Sequence, residues 1–319
     1  MIAWARPMGL LLPMCIGSVV LVWLLAGLGG GSWQVPRWSD PLVVALRLPR
    51  IGNAMLVGAA LSVAGAALQA LFRNPLADPG LIGTSAGAAL GVTLVLAGGL
   101  PGMTVPLAAF AGGLAATLAV LAFNRAVGGG LAGLLILGVA TGAGCMAVVN
   151  LLLLLSDDLV LRGTMSWLAG NLSDRRAMDA WPLALSMLAG FTLLVALARD
   201  LDCLALGDDT AASMGVRAGR VRLLTAVGTA LLTAGAVTLA GVIGFIGMMV
   251  PNAVALCCRT GLRGRLFASA WAGALFLLLV DTLGREAAYP IDLPAGVVAA
   301  LIGPASFLCL FWRLRKEMT

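Results

Sequence analysis

The run LAGLLILGVATGAGCMAVVNLLLLL, residues 131–155, holds neither a charged residue nor a proline. A helix rises about 1.5 Å per residue, so roughly 20 such residues cross the ~30 Å hydrocarbon core of a bilayer. Working outward from this segment, comparable stretches recur at 8–28, 51–71, 82–98, 105–123, 180–198, 221–241, 242–258, 266–284 and 295–312. With 131–155 they predict about ten transmembrane helices. The composition agrees: 61% of the 319 residues are hydrophobic, 11% are charged, and the mean hydropathy is +1.04. Soluble domains carry about 25% charge, so lipid is the solvent this chain is built for. Only helices and closed barrels satisfy the backbone in hydrocarbon, and the apolar runs lack the two-residue period of barrel strands. The fold class is therefore an all-α integral membrane protein, read as a single transmembrane domain over residues 1–319.

The run after Arg6 is long enough to span, and no small-residue cleavage site clearly follows it, so it reads as a retained first helix. Orientation follows from arginine and lysine. One side collects Arg6, Arg73, Arg125, Arg199, Arg217, Arg220, Arg222, Arg259, Arg263, Arg265, Arg313, Arg315 and Lys316, thirteen in all. The other collects seven: Arg37, Arg47, Arg50, Arg162, Arg175, Arg176 and Arg285. The richer side, with both termini, is expected to face the cytoplasm. The net charge of +6 thus belongs to membrane edges rather than to a nucleic-acid surface.

Several chemistries are excluded. Gly83-Thr84-Ser85-Ala86-Gly87 matches a serine-hydrolase elbow, but the chain has no histidine to activate the serine. Zinc-protease motifs and axial histidine ligation of haem fall with it. The only lysine is Lys316, so no phosphate-binding loop can form and the chain is not an ATPase. The six cysteines lack metal-ligand spacing and read as small buried hydrophobes. No cofactor and no metal is expected in this chain.

Glycines are frequent, 42 in total, and many recur at helical spacing: Gly83, Gly87 and Gly91, and Gly58 with Ser62 and Ala66. Such faces let helices approach closely in lipid. Gly241, Gly244, Gly247 and Pro251 interrupt the short eighth span.

Three polar constellations stand out. Arg73-Asn74-Pro75-Leu76-Ala77-Asp78-Pro79-Gly80 forms a proline-punctuated turn on the inner side. The loop at about 206–219 contains Leu206, Gly207, Asp208, Asp209, Ala212, Met214 and Gly215. There Asp208 or Asp209 can cap a short helix and Gly215 can close it. On the outer side, Arg47-Leu48-Pro49-Arg50 and Arg285 form an arginine rim suited to carboxylates.

These blocks resemble the permeases of type II ABC importers, the family that takes up ferric siderophores, haem and vitamin B12. The resemblance runs roughly from Arg47 to the C-terminus. Its motifs include Arg47–Arg50, Gly58-Ala59-Ala60-Leu61 with Gly65 and Gln69, Asn74–Pro79 and Gly83–Ala88. Further blocks are Leu206-Gly207 with Met214-Gly215-Val216, Gly241–Gly247, Asp281-Thr282 with Arg285, and Leu293–Val297.

The resemblance implies a homodimer with a second permease copy, two cytoplasmic ATPase subunits carrying ATP and Mg, and a periplasmic substrate-binding protein. Gly207, Asp208, Asp209, Ala212, Met214 and Gly215 would couple to the ATPase. Arg47, Arg50 and Arg285 would meet acidic residues of the binding protein. Pro251-Asn252 departs from the family's usual Pro-His.

Candidates for the translocation path are Met146, Asn150, Met165, Ser166 and Trp167, around the fifth span. Haem leads the expected substrates, with ferric siderophore and cobalamin as alternatives. The rival class is an ion-driven secondary transporter, for which only Asp281 approaches a span interior.

Overall fold

The computed structural model describes residues 7–29, 31–36, 39–172, 177–258 and 260–318. Arg6, Arg37, Arg175, Arg176 and Arg259, which entered the orientation count, lie outside them. Twelve α-helices follow one another: α1 Pro7–Gly27, α2 Leu48–Phe72, α3 Thr84–Leu96, α4 Val105–Val127, α5 Gly130–Leu155, α6 Asp158–Leu168, α7 Ala177–Ala205, α8 Asp208–Ser213, α9 Ala218–Ala240, α10 Ile246–Cys257, α11 Leu262–Ala287 and α12 Ala295–Met318. Two-residue strands, β1 Leu28–Gly29 and β2 Ser32–Trp33, pair antiparallel after α1.

Six described helices are long and apolar enough to cross a membrane, and four shorter apolar ones sit at Cys15–Gly27, Thr84–Leu96, Ile246–Cys257 and Ala295–Ser306. Together they correspond to the ten expected spans. α6 and α8 are additional. α6 was not anticipated, because Asp157, Asp158 and Arg162 break its hydropathy.

The core is built on α2 and α9, the two most buried of the long helices. α2 packs on α11 where Gly58 and Ser62 face Gly273, and a methyl placed on either glycine would overlap the other's carbonyl. α3 packs on α4 through Gly87 and Gly91 against Gly112 and Ala108. The small-residue faces read from sequence are therefore the helix contacts, as close dispersion packing in lipid requires.

Some hydroxyls inside the bundle return to backbone or to each other, while those of Ser62, Thr164, Thr225, Thr238 and Ser269 are buried without a partner. Thr229 and Thr233 on α9 donate to Thr225 O and Thr229 O at 2.9 and 2.8 Å. Thr84 and Thr117 meet at 2.7 Å between α3 and α4. Buried donors left without partners would each cost about 1–3 kcal/mol.

Two membrane-depth elements are only about two-thirds of a full span. At ~1.5 Å per residue, α3 and α10 are about 20 and 18 Å long, short of the ~30 Å core. Irregular backbone precedes each: a 3-10 turn, Pro79–Ile82, before α3, and residues 241–245 before α10. The eighth span thus starts at Ile246 rather than at 242. Gly241 and Phe245 take positive φ values of 70° and 68°, which unwind the chain there. Both irregular pieces are sheltered by protein, as hydrocarbon demands. Pro79 lies against Gly247, and the 241–242 backbone lies against Trp167, Gly170 and Gly296.

Candidate functional site

The loop after α7 forms the short helix α8. Its N-cap is Gly207, with φ 120°, and not an aspartate. Asp208 and Asp209 sit in the first turn, where their charge favours the helix N-terminus. Neither aspartate holds the N-cap position, and Asp208 is used elsewhere. It pairs with Arg222 of α9 and lies 3.5 Å from Arg73 at the end of α2.

Arg73, in the left-handed conformation, also donates to Leu204 O of α7. One carboxylate thus joins α8 to the ends of α2 and α9. At the other end Val216 N donates to Ala211 O and Gly215 N to Ala212 O, both at 2.9 Å. This double closure with Gly215 at positive φ is a Schellman motif. Ala211 is fully buried beneath α8, while Leu206 and Met214 are 68% and 54% exposed. The result is a braced helix that presents apolar knobs and acidic groups outward. Of the sequence candidates, Gly207, Asp208, Asp209, Ala212, Met214 and Gly215 all fall on this one feature.

At the opposite face, Arg47, Arg50 and Arg285 share one rim, and each is already engaged. Arg50 donates Nε and Nη2 to Asp281 at 2.8 and 2.9 Å, and Nη1 and Nη2 to Asp292 at 2.8 and 3.0 Å. Arg47 Nη1 donates to Ala26 O at 3.0 Å, and Arg285 Nη2 to Leu28 O at 2.9 Å. Glu286 lies 3.2 Å from Arg285 Nε and accepts from Gly31 N at 3.1 Å. The rim therefore ties the β1–β2 segment and the loop before α12 to α2 and α11. Sequence reasoning saw the arginines but missed Asp292 and Glu286 as their partners.

The path candidates divide. Ser166 and Trp167 line a cavity of about 360 Å³ with Val92 and Leu96 of α3 and Leu239 and Gly241. Both are on α6, not on the fifth span. Met165 does not line this cavity and is 57% exposed. Met146 and Asn150 are on α5, the least buried of the long apolar helices. The structure does not bring these five residues into one lining.

Comparison with known proteins decides the family. The FecCD transport family model matches residues 8–313. The hemin transport system permease protein HmuU of Yersinia pestis is 39% identical over 282 residues, covering 85% of this chain and 83% of that protein. The vitamin B12 import system permease protein BtuC of Escherichia coli O9:H4 (strain HS) is 36% identical, covering 97% and 93%. The chain belongs to the FecCD transport family. A solved metal-chelate type ABC transporter, in an inward-facing conformation, superposes with a TM-score of 0.85 at 28% identity, covering 96% of this chain and 99% of that one.

FecCD family members are permease subunits, and this one is a multi-pass membrane protein. Its departure at Asn252 has a structural account. Asn252 Nδ2 donates to Pro75 O at 2.7 Å and to Met248 O at 2.8 Å. Gln69 Nε2 reaches Met248 O at 3.0 Å from α2. The side chain at position 252 thus ties α10 to the proline-rich turn after α2. The amide has a donor to spare for a carbonyl in the adjacent turn, the contact that this FecCD permease makes without histidine.

Proposed function

We propose that the chain is the permease subunit of an ATP-driven type II importer for an iron chelate, with haem as the leading substrate. Ferric siderophore and cobalamin are the alternatives. In this reading the whole chain is one permease domain in a bacterial inner membrane, with α8 and both termini in the cytoplasm. A second copy completes the path. Two ATPase subunits, which carry ATP and Mg, receive α8, and a periplasmic binding protein docks at the arginine rim.

The observation that carries the proposal is α8 itself. A six-residue helix has little stability alone, and this one is fixed by Asp208, Arg73 and Arg222 to the ends of two core helices. Force applied to Met214 and its neighbours passes to α2 and α9, which form the centre of the bundle. ATP-driven closure of the partners then rocks those helices as rigid elements. At the rim, Arg47 and Arg285 each give one donor to a backbone carbonyl and keep others for a partner's carboxylates. Arg50 acts there through its hold on Asp292.

The ion-driven rival needs a free acidic group within the membrane. Asp281, the sequence candidate, is gripped by Arg50 and is only 4% exposed. This favours the ATP-driven reading. The test is reconstitution in vesicles with the ATPase and binding protein, offering haem, a ferric siderophore and cobalamin. ATP-dependent uptake of one ligand supports the proposal, and uptake driven by an ion gradient without ATP would overturn it.

A further inference from the structure

A groove of about 550 Å³ runs between α7 and α11, and Arg199 in its wall also borders the cavity beside Met214 and Val216. Its walls are Phe191, Val195 and Arg199 on α7, and Arg263 and Phe267 on α11. Phe191, Val195 and Arg199 are spaced four residues apart, as are Arg263 and Phe267, so each helix offers one stripe ending in a cation.

The rings of Phe191 and Phe267 meet edge to face at 5.2 Å and close the groove at its deep end. Both arginines lie at the α8 end. Arg199 follows directly on the apolar stretch Trp181–Ala198, about 27 Å of helix, and Arg263 stands three residues before Leu266. The two cations therefore share the level where lipid headgroups begin.

Neither arginine enters an ion pair among the described residues. Asp202, the one carboxylate in the wall, accepts from Leu262 N through both oxygens at 3.1 and 3.2 Å. It caps α11 and leaves a net positive mouth over an apolar trough.

We propose that this groove is a binding site for one anionic phospholipid of the leaflet on the α8 side. Its phosphodiester sits between Arg199 and Arg263, and an acyl chain lies along Val195 onto the Phe191–Phe267 pair. Charge complementarity selects the lipid: a mouth carrying two free arginines and one occupied carboxylate suits a headgroup of single net negative charge. Phosphatidylglycerol is the simplest probe.

Native mass spectrometry of the purified full-length permease measures the occupancy directly. The wild type is expected to retain one phosphatidylglycerol in preference to phosphatidylcholine. R199Q/R263Q is expected to lose about thirtyfold in affinity, at ~1 kcal/mol per arginine near a membrane surface. Val195→Trp, which fills the trough and keeps both charges, is expected to lose the same lipid, and it stands in if the double variant misfolds. Equal retention by the wild type and either folded variant would overturn the proposal. So would equal retention of phosphatidylcholine, or displacement of the lipid by inorganic phosphate alone. No transport is measured, so these outcomes are independent of the proposed import function.

Discussion

Arg50 on α2 holds Asp281 on α11 through two parallel bonds of 2.8 and 2.9 Å, across 231 residues of sequence. The carboxylate is 4% exposed, so it relies on this guanidinium to offset its desolvation. Arg50→Ala is expected to cost about 3–5 kcal/mol, the range for removing one partner of a buried pair. Asp292→Ala, whose side chain is 42% exposed, should cost under about 1 kcal/mol. Denaturant unfolding of the purified variants in detergent checks both, and equal losses would contradict the asymmetry.

Gly65 packs so closely on α10 that an added methyl would overlap the Gly247 carbonyl. Gly65→Ala must therefore push α2 and α10 apart, with a loss of about 1–3 kcal/mol as for other overpacked cores. Gly144→Ala on α5 meets nothing within 4 Å and should be neutral or slightly stabilising through helix propensity. Thermal midpoints of the two variants, measured side by side, test the contrast.

Asn252 links α10 to the turn after α2 through Pro75 O. Asn252→Leu removes both donated bonds; Met248 O keeps Gln69 as a donor, so the loss falls on Pro75 O and should be about 1 kcal/mol. Asn252→His keeps an N–H donor and should lie between leucine and the wild type. The ordering of the three melting temperatures decides, and a histidine variant no better than leucine would contradict the linking role.

The ten apolar helices were legible because each must match a fixed bilayer thickness, and that requirement is written in consecutive residues. Gly87 and Gly91, or Gly58 and Ser62, could be read as contact faces for the same reason: helical spacing is local. The loop around Asp208 announced itself as polarity between long apolar runs. Its bracing by Arg73 and Arg222 did not, because nothing local links residue 73 to residue 208.

The arginine rim shows the same boundary. Arg50 was visible, but its partner lies 231 residues away, so an ion pair within the chain could not be told from one reserved for another protein. α6 escaped notice because amphipathic helices lying near a membrane edge lack a span's hydropathy. Pro79, Gly241 and Gly244 did mark the irregular backbone. That the two short helices follow these breaks, with Pro79 against Gly247, needed three dimensions.

The central claim is that α8 carries motion between the ATPase partners and the bundle. Asp208 is about half exposed, so Asp208→Ala should change stability by less than about 1 kcal/mol while loosening the link to Arg73 and Arg222. Met214→Trp should disturb the exposed face of α8 and leave the fold intact. The decisive measurement is the ratio of ligand uptake to ATP hydrolysis in vesicles holding the permease, its ATPase and its binding protein. Both variants are predicted to lower that ratio at least tenfold, which corresponds to about 1.4 kcal/mol of lost coupling. An unchanged ratio in folded variants of both residues would contradict the account.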